Sequence, residues 1–371
     1  MVVLHLIVGL ETGGAERMLF RLVKSLPGHS HIIVSLTKVG PIGAQLISSG
    51  YSVHSIDLRL KTFVISIAKL WKLIDFYRPN VIQTWMYHAD LLGGLVGRLA
   101  GIKNIIWNIR NTEIPQSEWS VTGIIIKICA KLSNTVPHKI VCCAHAVMQS
   151  HAALGYCIER MKVIPNGYES EAWALPSQSK NDIKKIYDLP LDSIIIGVVG
   201  RFDRLKGYDV FIEAAAILSK CNHRGLFFLM VGRNVDDKNA ELLSLIAEKG
   251  GGAPFKLMGE RKDIPQVMYA LDIFCLSSRA EGFPNVVAEA MLMEVPCVVT
   301  DVGDAGLIVG TAGKVVPPNQ PAALADALLS VVCMNEAQRT AIGHDARKRI
   351  LQRFDINAVA QLYEDVYMNR N

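Results

Sequence analysis

The arrangement of apolar segments constrains this chain more than any other feature, because strand-length apolar runs alternate with helix-length amphipathic segments. This alternation is typical of parallel α/β sheets covered by helices. It occurs twice, and residues 168–192, which are polar and contain Pro176 and Pro190, predict a linker between the two series. The sequence therefore predicts two Rossmann-like domains that bind ligands beyond the carboxyl ends of their strands. The predicted strands are residues 2–8, 32–36, 53–56, 81–84, 104–107, 139–142 and 161–164, then 194–199, 226–231, 255–258, 273–276 and 297–300.

Length and composition fit this interpretation. The chain has 371 residues, enough for two or three domains, and its 50% hydrophobic content excludes a disordered protein. No uninterrupted apolar segment approaches the roughly 18–20 residues that span a bilayer. The apolar N-terminus runs into a glycine-rich turn and is predicted as a strand, not a signal peptide. The eight cysteines show no Cys-x-x-Cys spacing, which favours a reduced, cytoplasmic protein.

The charge is distributed unevenly along the chain. Residues 1–175 contain 17 Lys and Arg against 10 Asp and Glu, whereas the remainder contains 22 against 24. A basic half joined to a near-neutral half suggests that the first half meets an anionic partner. A chance bias of surface residues is the alternative.

A glycine-containing loop follows the first strand of each of the two series. Gly13 and Gly14 precede a helix predicted from residue 15, so backbone N–H groups can point at an anion there; a plain tight turn explains the glycines equally well. In the second series, Arg201 and Lys206 flank a turn before a helix predicted from Gly207. Two cations beside a helix N-terminus suit a diphosphate, and a solvated basic loop is the alternative.

The most informative segment is residues 281–291, Glu-Gly-Phe-Pro-Asn-Val-Val-Ala-Glu-Ala-Met. Glu281 lies in the loop after a predicted strand, and Pro284 suits the first turn of the helix that follows. Glu289 lies one turn into that helix among apolar residues, where a carboxylate requires polar partners. The vicinal hydroxyls of a sugar are such partners, although a single glutamate of this kind is often only a cap or a satisfied core residue.

Together, these segments resemble the retaining glycosyltransferases of family 4. The two glutamates with seven residues between them match that family's signature, and residues 13–16, 163–167 and 200–207 are similar to its other blocks in the same order. The resemblance covers nearly the whole chain. It implies a GT-B fold, with two Rossmann-like domains facing across a cleft and a last helix, residues 356–368, that crosses back to the N-terminal domain. The implied domains are residues 1–175 with 355–371, which bind the acceptor, and residues 176–354, which bind the nucleotide-sugar.

The resemblance also implies roles for individual residues. Arg201 and Lys206 would hold the donor diphosphate, Glu289 the ribose hydroxyls and Glu281 the hydroxyls of the transferred sugar. His88 matches the position of a histidine near the reacting sugar, with a surface or capping histidine as the alternative. The base would lie near residues 260–263. The other implied donor contacts are Gly13, Gly14, Arg261, Gly282, Phe283, Pro284, Asn285 and Val286. The acceptor candidates are Asn108 and Arg110.

One position departs from the family pattern. Asp304 stands where many relatives have a second glycine followed by Pro-Glu, and it either contacts the acceptor or caps a shortened loop. No two aspartates are spaced Asp-x-Asp, the pair that usually holds a metal-bound diphosphate. Because Arg201 and Lys206 can replace the metal, the sequence predicts a metal-independent enzyme without a cofactor.

The predicted reaction is transfer of a sugar from a nucleoside diphosphate, UDP rather than GDP, to a hydroxyl of a polyprenyl-diphosphate-linked saccharide. The expected setting is bacterial O-antigen, capsule or exopolysaccharide synthesis. The resemblance implies retention, by front-face attack or, alternatively, through Glu281 as a covalent nucleophile. A transferase or phosphorylase acting on a soluble sugar or sugar phosphate is the alternative function. A nucleotide-binding protein without turnover is disfavoured because all four motifs are intact.

Two basic segments predict contact with an anionic membrane surface. Residues 58–74 mix Lys61, Lys69 and Lys72 with Trp71 and aliphatic residues, and residues 119–132 show a similar mixture. Ordinary helices packed on the sheet are the alternative. Nucleic acid is disfavoured as a partner, because no basic repeat is interleaved with aromatic residues. The expected location is the inner face of the cytoplasmic membrane.

Overall fold

The computed structural model describes residues 1–112, 120–221 and 225–370. The chain divides into two compact units, one formed by Met1–Gly167 with Phe354–Asn371 and the other by Tyr168–Arg353. Each unit contains one fully parallel sheet, and its strands are mostly buried on both faces, as expected for sheets covered by helices. The two predicted α/β units are confirmed.

The first unit contains a seven-stranded sheet of order β3-β2-β1-β4-β5-β6-β7. Every predicted strand of the first series is present, and its ends differ from the prediction by at most two residues. The strands are β1 (Val2–Ile7), β2 (Ser30–Ser35), β3 (Ser52–Ser55), β4 (Val81–Trp85), β5 (Ile105–Ile109), β6 (Lys139–Cys142) and β7 (Met161–Val163). The helices before the second unit are α1 (Gly14–Ser25), α2 (Pro41–Ser48), α3 (Phe63–Tyr77), α4 (Tyr87–Leu99), α5 (Val121–Leu132) and α6 (His145–Ala153).

The second unit contains a six-stranded sheet of order β10-β9-β8-β11-β12-β13. Its strands are β8 (Ile194–Val199), β9 (Leu226–Val231), β10 (Phe255–Leu257), β11 (Ile273–Leu276), β12 (Cys297–Thr300) and β13 (Gly313–Val316). Its helices are α7 (Lys180–Ile186), α8 (Tyr208–Ser219), α9 (Ala240–Lys249), α10 (Ile264–Tyr269), α11 (Asn285–Leu292), α12 (Ala305–Val309), α13 (Pro321–Val332) and α14 (Glu336–Arg353). Strand β13 was not predicted, because it is a short edge strand with Lys314 and Val315 exposed and lacks a buried apolar run.

The last helix, α15 (Ile356–Tyr367), belongs to the first unit, as the resemblance implied. Its apolar face, including Ile356 and Tyr363, is part of the buried core that contains Leu22 of α1 and Trp85 of β4. The Asn104 side chain donates a hydrogen bond to the Tyr367 carbonyl (2.8 Å). The C-terminal segment therefore completes the core of the N-terminal unit.

The predicted linker, residues 168–192, is instead an integral part of the second unit, so this prediction is wrong. Trp173 and Tyr187 are buried, and Lys184 of α7 is 4% exposed with its ammonium 2.7 Å from the Asp272 carboxylate. The unit begins at Tyr168 rather than at residue 176, because the Tyr168 hydroxyl donates to Asn285 (2.8 Å) and Arg347 donates to the Trp173 carbonyl (2.9 Å). The polar composition of the segment concealed these few apolar and charged contacts.

Two buried histidines lie side by side in the first sheet. His5 Nε2 and His31 Nδ1 are 3.0 Å apart, and His31 Nε2 lies 3.0 Å from the Leu26 carbonyl. Burial lowers the pKa of both imidazoles, and that of His31 falls to about 4. Both rings are therefore neutral in the folded protein at neutral pH.

This arrangement predicts that the first unit loses stability in mild acid. In the unfolded chain the His31 imidazole has a pKa of about 6.5 and binds a proton below that pH. In the folded protein the same imidazole stays neutral until about pH 4, so acid favours the unfolded chain. We expect the free energy of unfolding to fall by about 2 kcal/mol between pH 7 and pH 5 through His31 alone. Denaturant unfolding followed by the fluorescence of the buried Trp85 and Trp107 measures it. A His31→Gln variant with the same pH dependence as the wild type would contradict this account.

Candidate functional site

The loop after β8 forms the predicted turn before a helix. Residues Arg204–Lys206 make one 3-10 turn, and Gly207 adopts a left-handed conformation (φ 64°) directly before α8. A side chain at Gly207 would clash with the Ser277 carbonyl, and the Ser277 hydroxyl donates to the Lys206 carbonyl (3.0 Å). Glycine is thus required where this turn packs against the end of β11.

Lys206 and Glu281 form an ion pair. The Lys206 ammonium lies 2.7 Å from Glu281 Oε1, and the Ser278 hydroxyl donates to the same oxygen (2.7 Å). The two side chains are 26% and 11% exposed, so the pair is partly shielded from water. The structure therefore brings together the residue predicted for the diphosphate and the residue predicted for the sugar, although they are 75 positions apart.

Arg201 lies on the same loop and is more exposed. Its guanidinium Nε is 3.3 Å from the Asp203 carboxylate, and 47% of its side chain is accessible. The backbone N–H of Leu205 and, to a smaller extent, Arg201 lower the pKa of Asp203, so that carboxylate stays ionised and orders the turn. Arg201 can thus reach an incoming anion from a fixed loop.

Arg279 fixes this turn from the neighbouring strand end. Its guanidinium pairs with both oxygens of Asp209 (2.8 and 2.5 Å) and donates to the Arg204 carbonyl (2.8 Å). Neither Arg279 nor Ser278 was singled out in the sequence. Arg279 contacts Asp209, which is 70 positions away in the sequence, and the Ser278 contact with Glu281 depends on the fold of the 278–281 loop. No local sequence pattern indicates either contact.

The second glutamate lies on α11, as predicted. Glu289 is 6% exposed on the second turn of this helix, which begins at Asn285 directly after Pro284. Phe283, in the loop before this helix, is also 6% exposed, so its buried side chain anchors that loop. The buried position agrees with a carboxylate that meets specific polar groups rather than bulk water.

The loop that contains Asp304 supports the Glu281 loop. The Asp304 N–H donates to the Gly282 carbonyl (3.0 Å). Gly303 adopts φ 57°, and a side chain there would clash with the carbonyls of Glu281 and Gly282. The backbone of Gly303 and Asp304, where the sequence departs from the family pattern, therefore holds the Glu281 loop in place.

Arg261 follows β10 and forms a compact cluster with Tyr187 and Asp263. Its guanidinium is bidentate to Asp263 (2.9 and 2.6 Å) and lies 5.4 Å from the Tyr187 ring centre. The Tyr187 hydroxyl donates to Asp263 (2.8 Å), and the Arg261 hydrogen bond is the first cause of the lowered pKa of that carboxyl. The cluster gives a planar, preorganised surface where the base was predicted to bind.

The glycines of the first unit lie at the N-terminus of α1, with Gly13 as its cap. Here the Glu16 carboxylate covers the helix N-terminus, so closely that a side chain at Gly13 would clash with it. Burial raises the pKa of Glu16. An anion that approaches Gly13 and Gly14 must therefore displace this carboxylate or meet it protonated.

His88 lies on the first turn of α4, directly after β4. Its side chain is half-buried, and burial lowers the pKa of the imidazole, so that it is neutral at pH 7. Of the two acceptor candidates, Asn108 is fully buried and donates to the Tyr363 hydroxyl (3.1 Å). Arg110 donates to both Asn108 and Tyr363 (3.1 Å each) and is only partly buried, so direct contact with an acceptor fits Arg110 better.

A cavity of about 620 Å³ lies at the opposite edge of the second sheet, near the amino ends of β8, β11 and β12. Lys180 and Lys184 line it around Asp272. The residues predicted to bind the donor lie at the carboxyl ends of the strands and are not part of this cavity. Within the described residues, no group of three or more His, Cys, Asp or Glu side chains is arranged to hold a metal ion.

Comparison with solved structures shows the class of fold. The chain superposes on HepE of Anabaena, solved in complex with UDP, with a TM-score of 0.86 and 22% identity over 100% of both chains. The same protein in complex with UDP-glucose gives a TM-score of 0.84. These matches show that the chain has the GT-B fold of glycosyltransferases.

The sequence comparisons then define the family. Residues 12–172 match the family described as Glycosyltransferase Family 4, and residues 193–333 match Glycosyl transferases group 1. Glycosyltransferase models thus match both halves of the chain, and the chain belongs to these glycosyltransferases, as the resemblance indicated. It is 24% identical to the UDP-Gal:alpha-D-GlcNAc-diphosphoundecaprenol alpha-1,3-galactosyltransferase of Escherichia coli, over 82% of this chain and 80% of the relative. It is 23% identical to the capsular polysaccharide biosynthesis glycosyltransferase CapM of Staphylococcus aureus, over 84% and 82%.

Proposed function

We propose that this glycosyltransferase moves a sugar, with retention, from a UDP-sugar to a hydroxyl of a polyprenyl-diphosphate-linked saccharide in bacterial surface-polysaccharide synthesis. The Lys206–Glu281 pair beside the start of α8 carries the proposal. It supplies a cation for the diphosphate and a carboxylate for the sugar, and the two groups are 2.7 Å apart. The names of the relatives support the donor and the acceptor: one uses UDP-Gal and a diphosphoundecaprenol-linked sugar, and HepE was solved with UDP-glucose.

In the proposed reaction, the departing UDP gains negative charge as the glycosidic bond breaks. Lys206 and Arg201 neutralise that charge, an interaction that strengthens toward the transition state. Glu289 accepts hydrogen bonds from the ribose, and backbone N–H groups of Phe283 and Asn285 bind the phosphate or the sugar. In the first unit, His88 is proposed to face the reacting sugar, and Gly13 and Gly14 are proposed to approach the phosphates.

The geometry of Glu281 favours front-face attack, in which the departing phosphate accepts the proton of the acceptor hydroxyl. Glu281 Oε1 is shared by the Lys206 ammonium and the Ser278 hydroxyl. Two charge-assisted hydrogen bonds on one oxygen stabilise the carboxylate and make it a weaker nucleophile. These contacts suit a residue that binds sugar hydroxyls.

Donor binding tests the proposal. UDP-, GDP- and ADP-sugars are compared for their effect on thermal unfolding, with Lys206→Ala as the matched control. A bound donor at 100 times its dissociation constant should add about 2.7 kcal/mol to the wild type. Stabilisation by UDP-sugars but not by GDP- or ADP-sugars supports the proposed donor. Stabilisation by another nucleotide alone, or by none, contradicts it.

Changing Glu289 to Gln should mainly weaken donor binding. Ribose contacts are similar in the ground and transition states, so KM for the donor should rise while kcat changes little. We expect an increase of about tenfold in KM, the loss of one charged hydrogen bond. A fall in kcat at unchanged donor affinity would show that Glu289 does not bind the ribose.

The reaction should not require a metal ion. Initial rates with excess EDTA should equal those without it, because Arg201 and Lys206 provide the charge that a divalent ion would otherwise supply. The control is a glycosyltransferase known to need Mn²⁺, assayed in the same buffer. Activity lost to EDTA and restored by Mg²⁺ or Mn²⁺ would overturn the prediction.

We also propose that the first unit binds the cytoplasmic surface of an anionic membrane through α3, α4 and α5. Exposed apolar side chains lie on all three helices, which follow one another as packed neighbours, α3 on α4 and α4 on α5. Among them are Phe63 (48% exposed), Val64 (77%), Ile65 (58%), Trp71 (42%), Leu99 (77%), Val121 (71%) and Ile124 (43%). We call these residues the apolar surface. Trp119, at the start of the second predicted segment, lies outside the described residues.

Exposed lysines lie on or beside two of these helices. Lys61, Lys69 and Lys72 lie on or next to α3, and Lys127 and Lys131 lie on α5. Apolar side chains mixed with lysines suit the interface of an anionic leaflet, where each cation contributes roughly 1 kcal/mol. None of the helices in the described ranges is long and apolar enough to cross a membrane.

A further inference from the structure

The turn that carries His88 contains a strained residue. Met86, between β4 and α4, adopts φ 73° and ψ 160°, a region of backbone conformation almost restricted to glycine. Such a conformation costs about 1–3 kcal/mol and persists only where the surroundings enforce it. It lies two residues before the imidazole proposed to face the reacting sugar.

Hydrogen bonds from two elements enforce this conformation. The Met86 N–H donates to the Asn108 carbonyl (3.0 Å), and the Met86 carbonyl accepts from the Asp90 N–H (2.9 Å). The next residue, Tyr87, is held by its hydroxyl, which lies 2.9 Å from His151 Nε2. The turn is therefore fixed on both sides of the strained residue.

The Asp90 side chain lies beneath this turn. It is 0% exposed, and its Oδ1 accepts from the Thr84 hydroxyl (2.5 Å), so this contact joins the residues before and after Met86. Its other oxygen, Oδ2, is buried without a hydrogen-bond partner among the described residues. A buried, half-satisfied carboxyl group costs stability, so packing alone does not explain this residue.

We infer that Asp90 is a positioning residue for the transfer reaction: its carboxyl group, bonded to Thr84, fixes the strained Met86 turn together with its backbone N–H and thereby aims His88. This inference rests on the role proposed for His88. The Asp90 carboxyl does not touch the substrate, because it is completely buried; it acts through the first turn of α4.

A double-mutant cycle tests this inference. Asp90→Asn keeps the shape and the contact with Thr84 but weakens the hydrogen bonds that order the turn. We expect it to lower kcat about tenfold or more, since a misplacement of about 1 Å can cost that much, with KM for the donor changed less than about twofold. In a His88→Ala background the same change should lower kcat less than about twofold, because the imidazole that it positions is gone. Asp75→Asn, on the surface of α3, is the matched control.

A second measurement does not depend on activity. Amide hydrogen exchange at Met86 and Asp90 should become about tenfold faster in Asp90→Asn but not in Asp75→Asn. If Asp90→Asn fails to fold, Thr84→Val, which removes the hydroxyl from the same carboxyl group, replaces it in both experiments. Equal losses of kcat in the two backgrounds, or unchanged exchange, would overturn the positioning role while leaving that of His88 intact. A fully active His88→Ala would overturn both.

Discussion

Replacing Lys206 with alanine should lower kcat for sugar transfer by about 10²–10³-fold, the usual effect of removing one preorganised group that stabilises charge developing in the transition state. Lys206 is held 2.7 Å from Glu281, so its ammonium needs little reordering to meet the leaving diphosphate. The fold should remain intact, because the side chain is partly exposed and does not belong to the core.

Steady-state kinetics and circular dichroism together measure this effect. Lys220→Ala, which removes an exposed lysine at the end of α8, is the control and should retain full activity. If Lys206→Ala turned over at nearly the wild-type rate, the diphosphate would have to bind elsewhere, and the donor site described above would be wrong.

Changing Lys61, Lys69 and Lys72 together to glutamate should abolish most binding to anionic vesicles. Each lysine contributes roughly 1 kcal/mol near an anionic leaflet, and each glutamate is repelled, so the affinity should fall by more than about 100-fold. Binding of the wild type should weaken at high salt, because screening shortens the range of the attraction. Vesicle sedimentation at low and high salt measures both effects.

The same variant separates the membrane from the donor site. Activity on a lipid-linked acceptor in vesicles should fall, whereas UDP-sugar binding by the second unit should not change. A triple change of Lys220, Lys314 and Lys348 to glutamate, exposed residues of the second unit, is the charge-matched control. If the wild type and the Lys61, Lys69 and Lys72 variant bound vesicles equally, the soluble-acceptor alternative would take precedence.

Local pattern predicted much of the fold. Strands buried on both faces, such as β1 and β8, appear in the sequence as continuous apolar runs, and helix α11 begins directly after Pro284. The prediction from sequence was wrong where only a few residues of a segment pack against the sheet. Residues 168–192 are polar on average, yet Trp173 and the ion pair of Lys184 with Asp272 fix them to the second sheet.

The sequence motifs name the candidate site residues but do not predict their geometry. Lys206 and Glu281 were each identified in a motif, whereas their direct contact depends on the adjacent carboxyl ends of β8 and β11. The Glu16 carboxylate over Gly13 and the strained Met86 were not predicted at all. Both are backbone and side-chain arrangements that residue type alone does not specify.

The most direct test of the central claim is to follow the sugar itself. The purified protein is incubated with a UDP-sugar labelled in the sugar and with a polyprenyl-diphosphate-linked saccharide in anionic vesicles, without added metal. The label should move into the organic-extractable product with the anomeric configuration of the donor, as determined by NMR, and Lys206→Ala should not support this transfer. Label that remains entirely in the aqueous phase, or a product with inverted configuration, would contradict the account.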